Sequence, residues 1–304
     1  LFVNVAIVGI GAMGCRFGSA LNPHCDVTLI GRWRKQLQVL NSAPLKILQN
    51  GHETEVKLHA TDDESQVPPS DVVLVLTKSS KTDLAAQAAS KVLKSDGLVI
   101  TLQNGLGNYE RLVAELGEQR VTLGVTMQGA SMDAPGVLRL GGSGPTYLAS
   151  RPEIHDKIEA IAELFDTSGL QTSITEDVWG LVWGKLAINA AINPLTAILR
   201  VRNGRLLSSD WSKSIMREAA LEVATVADAQ GIPLSFNDAA TEAERVAMMT
   251  ANNRSSMLQD VIRGVRTEID SICGEIMRRA EQFGVPVPAN RLLYTMVKAL
   301  EDMN

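Results

Sequence analysis

Nowhere in the chain do lysine and arginine gather into a block, and 29 basic against 34 acidic residues leave a net charge of -5 over 304 residues. Nucleic acid and anionic membranes are therefore not expected partners, whereas small anions remain compatible. Cysteine is scarce: Cys15, Cys25 and Cys273 are odd in number and lack the paired spacing of a metal or redox site. That pattern suits a reducing compartment, and a cytoplasmic location is expected. The four histidines, His24, His52, His59 and His155, show no close zinc-type spacing, so no metal is assigned. Long apolar runs are also missing. The opening LFVNVAIVGIG has no basic flank and is cut by glycine, which reads as neither a signal peptide nor a membrane span. The apolar segment 178–192 is too short and too polar to cross a bilayer.

What is present is two kinds of organisation. A chain of 304 residues exceeds one typical core, so two domains are expected. The fold class expected is α/β: an N-terminal Rossmann-type dinucleotide-binding domain over residues 1–174, followed by an all-α domain over residues 175–304. Residues 3–8 form a short apolar run suited to a buried parallel strand. GIGAMG follows at once, and then a helix-compatible segment, 15–21. In that context Gly9 permits the tight turn, Gly11 lets backbone approach a pyrophosphate, and Gly14 lets helix and strand pack closely. Ala12 and Met13, within the same motif, are assigned to cofactor binding with it, the phosphates lying at the helix N-terminus.

The second strand, 27–30, ends in GRWRK, where an NAD enzyme would place an acid on the adenosine ribose. Arg32 stands there instead, with Arg34 and Lys35 nearby and no carboxylate to repel a 2′-phosphate, so NADPH/NADP is the expected cofactor. Residues 45–58 read as a polar hairpin. Strand 71–76 ends in Thr77 and Lys78, and strand 98–102 ends in Gln103, Asn104 and Gly105. Ligands of open parallel sheets bind beyond such carboxyl ends, which places Lys78 to meet cofactor or substrate and Asn104 to bridge nicotinamide and substrate. The short β-like pieces of 121–148 are expected to close the sheet, helix 152–168 follows, and strand 170–174 completes the domain.

WGKLAINAAINPLT, residues 183–196, reads as a helix apolar almost all round, and such a helix is normally buried. Lys185, Asn189 and Asn193 interrupt it at spacings of four, forming one slowly drifting stripe. An ammonium with two carboxamides above it suits a small, oxygen-rich ligand. Pro194 is expected to place Asn193 at a break or kink. Thereafter the pattern is helix after helix, and the hydride acceptor is expected where the two domains meet, with Lys185 just past the boundary. In the stretch beginning NRSSMLQD, Asn253 and Ser256 share a helix face or cap it together. Glu268 lies twelve residues past Ser256, about 18 Å along a straight helix, so the two reach one small substrate only if Gly264 bends the chain.

Together GIGAMG, Thr77–Lys78, QNG at 103–105, WGKLAINAAINPLTA, and SSMLQD followed by TEID resemble the ketopantoate reductase (2-dehydropantoate 2-reductase) family, along the length of the chain. The resemblance implies NADPH-dependent reduction of 2-dehydropantoate to pantoate, on the way to pantothenate and coenzyme A. It implies that Lys185 is the general acid and that Asn189, Asn193, Asn253 and Ser256 hold the substrate. It further implies cofactor or active-site roles for Arg32, Lys78, Asn104 and Glu268. The expected partner is a small 2-oxo acid, and a homodimer through the helical domain is one expectation for assembly. The rivals are a related 2-oxo acid reductase, a β-hydroxyacid dehydrogenase, against which SSMLQD and TEID speak, and a non-catalytic NADPH-sensing protein.

Overall fold

The computed structural model describes residues 3–303; Leu1 and Phe2 of the first apolar run, and Asn304, lie outside the described residues. The chain forms two compact units. One runs to Gln103 and resumes from Asn108 to Val178; the other takes Asn104–Gly107 and the chain from Trp179 onward.

The first unit contains, in chain order, β1 (Asn4–Val8), α1 (Ala12–Leu21), β2 (Asp26–Ile30), α2 (Arg34–Ser42), β3 (Leu45–Gln49), β4 (His52–Val56), β5 (His59–Thr61), β6 (Ser70–Val75), α3 (Thr82–Val92), β7 (Leu93–Thr101), α4 (Asn108–Leu116), β8 (Val121–Thr126), β9 (Ala130–Ala134), β10 (Val137–Leu140), β11 (Thr146–Ala149), α5 (His155–Thr167) and β12 (Thr172–Thr175). Its main sheet has eight strands in the order β12-β11-β8-β7-β6-β1-β2-β5, parallel except where β11 meets β8. Val5, Ala6, Ile7 and Val8 are at most 5% exposed. A strand flanked by parallel neighbours and buried on both faces needs such an unbroken apolar run. The chain adds β2 on one side of β1 and later β6 on the other. The reversal lies between β1 and β6, the topology that opens a ligand crevice at the carboxyl ends.

Residues 121–148 do not all close this sheet. Only β8 and β11 join it, while β9 and β10 pair with β3 and β4 in a separate four-stranded sheet. Along β9 and β10 only Met132 and Leu138 are buried, a one-sided pattern suited to a half-solvated sheet and not to the doubly covered main one.

The second unit is helical: α6 (Trp179–Leu199), α7 (Asp210–Asp228), α8 (Ala239–Met249), α9 (Ser256–Ile262), a π-helical turn at Asp270–Gly274, α10 (Glu275–Phe283) and α11 (Pro288–Met303). The helix α6 is its axis, packed by α7, α8, α9 and α11. It is longer than its apolar pattern suggests. Pro194 lies inside it, so Asn193 is helical and the expected break is absent. A proline inside a helix costs about 3 kcal/mol through its missing donor and ring clash. Ile192 and Leu195, 3% and 4% exposed, flank it. Burying two such side chains is worth about 3–6 kcal/mol, which outweighs the local penalty. At 21 residues α6 is also long and apolar enough to cross a membrane, contrary to the expectation for 178–192, but most of it is buried by its neighbours as a core helix.

Candidate active site

In the first unit the glycine loop follows β1 directly. Gly9 has φ of +134°, and a Cβ there would lie 2.8 Å from the Leu76 carbonyl carbon and oxygen just past β6. A Cβ on Gly14 would sit 1.8 Å from the Gly9 carbonyl oxygen, so only glycine lets α1 start this close to the strand. Gly11 differs: it caps α1 in an extended conformation, and the space its Cβ would enter is open. Ala12 and Met13 follow, half-buried, and no acidic residue stands in the first turn. An open cradle at a ten-residue helix's N-terminus, free of carboxylates, fits a dinucleotide pyrophosphate.

Arg32 and Lys78 stand at the ends of β2 and β6, on either side of the β1 loop. Lys78 is half-buried and begins a 3-10 turn at Ser79–Lys81. The preceding Thr77 is pinned by Gln103, whose Nε2 donates to the Thr77 carbonyl at 3.0 Å and lies 3.3 Å from its hydroxyl. The surroundings of Arg32 differ from the expected uncontested cation. Its guanidinium pairs with Glu64 at 3.1 Å, and Glu64 also meets Lys91 at 3.4 Å. Glu64 lies 32 positions away in the sequence and reaches Arg32 because β5 pairs with β2, a strand too short to read from three residues of HAT.

The second unit carries Lys185, Asn189, Asn193, Asn253, Ser256, Glu268 and Asn104. The pKa of the Lys185 ammonium is lowered from 10.5 to about 8, the result of burial, which lowers it, outweighing the nearby Glu268 carboxylate, which raises it. Glu268 itself is 7% exposed. The turn around it is built from α11: Glu301 accepts from both the amide and the hydroxyl of Thr267 at 2.7 Å, while Tyr294 and Lys298 hold Asp270. Ser271 continues the frame, its hydroxyl donating to the Glu268 carbonyl at 3.0 Å and its own carbonyl accepting the Leu106 amide at 2.9 Å. Gly105, with φ of +82°, passes so near that a Cβ would lie 2.3 Å from the Ser271 oxygen. The loop bearing Asn104 is thereby stapled to the turn bearing Glu268, which is why the residue after Asn104 is glycine.

Farther along α6, Asn193 is 8% exposed and Asn189 half-buried. Thr196 donates within the helix to the Ile192 and Asn193 carbonyls, and its hydroxyl lies 2.7 Å from that of Ser255. Ser255 is the cap of α9, accepting the Leu258 amide at 3.0 Å, so neither Asn253 nor Ser256 has that role. The Thr196–Ser255 pair ties α9 to α6, and Ser256, the next residue, is exposed. Asn253 is exposed, its carbonyl accepting the Asn203 amide at 3.1 Å. The chain between Ser256 and Glu268 is not one straight helix. It stops at Ile262, and Gly264 turns it back with φ of +63°.

An ammonium of lowered pKa beside a buried carboxylate is the pairing a proton donor needs. Residues 5–153 match the family described as ketopantoate reductase PanE/ApbA, and residues 177–301 match its C-terminal part. The chain belongs to the ketopantoate reductase family. This family of oxidoreductases includes the 2-dehydropantoate 2-reductase of Pyrococcus horikoshii, 36% identical over 303 residues, covering 99% of this chain and 98% of the relative. A ketopantoate reductase from Ralstonia eutropha JMP134 superposes with a TM-score of 0.90 at 35% identity, covering 99% of both chains. D-Mandelate dehydrogenase, solved with NADH and anilino(oxo)acetate, gives a TM-score of 0.91 at 28% identity over 99% of both chains.

Proposed function

We propose that this protein reduces ketopantoate (2-dehydropantoate) to pantoate with NADPH, the reaction named for its relatives and a step toward pantothenate and coenzyme A. The observation that carries this reading is the Lys185 ammonium, lowered to about 8 by burial and countered by Glu268, at the foot of the Asn189–Asn193 stripe. A general acid works best when its pKa is near the working pH.

A nicotinamide dinucleotide held by the β1 loop would supply the hydride for the ketone carbon. Gly9, Gly11, Ala12, Met13 and Gly14 hold its pyrophosphate, Arg32 reads the 2′-phosphate, and Lys78 and Asn104 serve the cofactor or the substrate beside it. Lys185 donates a hydrogen bond to the ketone oxygen before reaction. It then gives up one proton as that oxygen becomes an alkoxide, leaving a neutral amine that solvent reprotonates. Glu268 favours the charged form of Lys185. Asn189 and Asn193 orient the substrate's oxygens, and Asn253 and Ser256 receive the carboxylate through uncharged donors. Position and electrostatics are thus what the protein contributes.

The likeness to D-mandelate dehydrogenase favours a second reading, an aryl 2-oxo acid as substrate with NADH. One assay separates them. Purified protein with each reduced cofactor is offered ketopantoate, other branched 2-oxo acids and an aryl 2-oxo acid, and loss of reduced cofactor is followed. Preference for ketopantoate with NADPH supports the first reading; preference for the aryl acid with NADH supports the second. Tight cofactor binding with no turnover of any acid would overturn both and point to a sensor.

A further inference from the structure

The ion pair at the end of β2 is asymmetric. The Glu64 side chain is 13% exposed, whereas Arg32 and Lys91 are 63% and 60% exposed. The carboxylate is the fixed member. It lies in a 3-10 turn, Glu64–Gln66, that Asp63 organises by accepting the Ser65 amide at 3.0 Å and the Ser65 hydroxyl at 2.7 Å. The turn follows β5, whose Thr61 pairs with Ile30 at the end of β2. In dinucleotide-binding folds the end of that strand meets the adenosine ribose, read by an acid when the 2′ position is a hydroxyl and by an arginine when it is a phosphate. This chain has the arginine in the turn itself and an acid delivered to the same place from the neighbouring strand.

We propose that Glu64 sets the balance between NADPH and NADH by holding Arg32 as an internal substitute for the 2′-phosphate. The inference rests on the reading of Arg32 given above. A 2′-phosphate must take Arg32 from Glu64 and bear the carboxylate's repulsion; a 2′-hydroxyl instead donates to Glu64 while Arg32 stays paired. Lys91, 3.4 Å from the same carboxylate, helps hold it in place and moderates its repulsion. The arrangement favours use of both cofactors over strict NADPH selectivity.

The test measures dissociation constants of the full-length protein for NADPH and NADH by cofactor fluorescence, and for 2′,5′-ADP and 5′-ADP by calorimetry. Glu64→Gln is expected to tighten NADPH and 2′,5′-ADP about two- to fivefold, the scale of releasing an exposed ion pair, and to weaken NADH. Lys91→Gln is expected to weaken NADPH, and the tightening in Glu64→Gln is the change that general damage to the fold would not give. An unchanged NADPH-to-NADH ratio in Glu64→Gln, with Arg32→Ala still losing NADPH selectively, overturns the role of Glu64 alone. Equal loss of both cofactors in Arg32→Ala overturns the reading of Arg32 instead.

Discussion

Glu268 opposes the effect of burial on Lys185: desolvation lowers the pKa of the ammonium and the carboxylate raises it, and the balance leaves it at about 8. The sign matters for catalysis. A lysine with a lowered pKa is charged below that value and loses its proton as pH rises through it. If Lys185 is the acid, the reductive rate is level below about pH 8 and falls about tenfold per unit above it. Glu268→Gln removes the influence that favours the ammonium, so the fall should begin at lower pH. A pH profile of turnover in both proteins checks this, and identical profiles would separate Glu268 from the proton transfer.

Lys185→Ala should lower turnover by roughly 10²- to 10⁴-fold, the usual scale for a general acid, with cofactor affinity nearly unchanged. Single-turnover kinetics beside direct cofactor titration distinguish the two quantities. Near-normal turnover would remove Lys185 from the mechanism.

Gly105→Ala combines a positive φ with a clash against the Ser271 carbonyl 2.3 Å away. Strained backbone of this kind costs about 1–3 kcal/mol, and relief requires the Asn104 loop to leave the Glu268 turn. A lowered denaturation midpoint together with loss of turnover is the expected result. Gly117→Ala has a comparable φ of +84° but open space around it, so it should show the backbone strain without the loss of activity.

The features readable in the sequence are those set by local pattern. GIGAMG between an apolar strand and a helix needs only chemical neighbours in the chain, and the Lys185 stripe needs only helical spacing. What was not readable depends on distant partners. Glu64 meets Arg32 through the pairing of a three-residue strand, and Ser255 becomes the cap of α9 because Thr196, 59 positions away, fixes its hydroxyl. Adjacent serines at 255 and 256 signal a helix start, but each has a backbone amide three residues on, so local sequence does not choose between them and the Thr196 contact does. Pro194 differs for a similar reason: a local rule predicts a break, and packing of the surrounding apolar residues overrides it.

The two serines give a paired prediction. Ser255→Ala removes a cap and its tie to Thr196, which should cost about 0.5–2 kcal/mol of stability. Ser256→Ala leaves that framework intact and should raise the KM for the 2-oxo acid with little change in denaturation midpoint. Thermal denaturation and steady-state kinetics on both variants decide it. A Ser256 variant with unaltered KM would take that hydroxyl out of the substrate site.

Arg32→Ala tests the cofactor assignment. A charged hydrogen bond to a 2′-phosphate is worth about 1.5–3 kcal/mol, so NADPH affinity should fall by that order. The loss belongs near the lower end, because without ligand the guanidinium already pairs with Glu64 at 3.1 Å and gains only the difference on binding. For NADH the same substitution removes a partner of Glu64 and leaves the carboxylate to the ribose hydroxyls, so affinity should hold or rise slightly. Titration of both cofactors against the variant measures the two changes separately. A selective loss of NADPH makes Arg32 the phosphate reader; a loss shared by NADH would mean that Arg32 shapes the adenosine pocket as a whole.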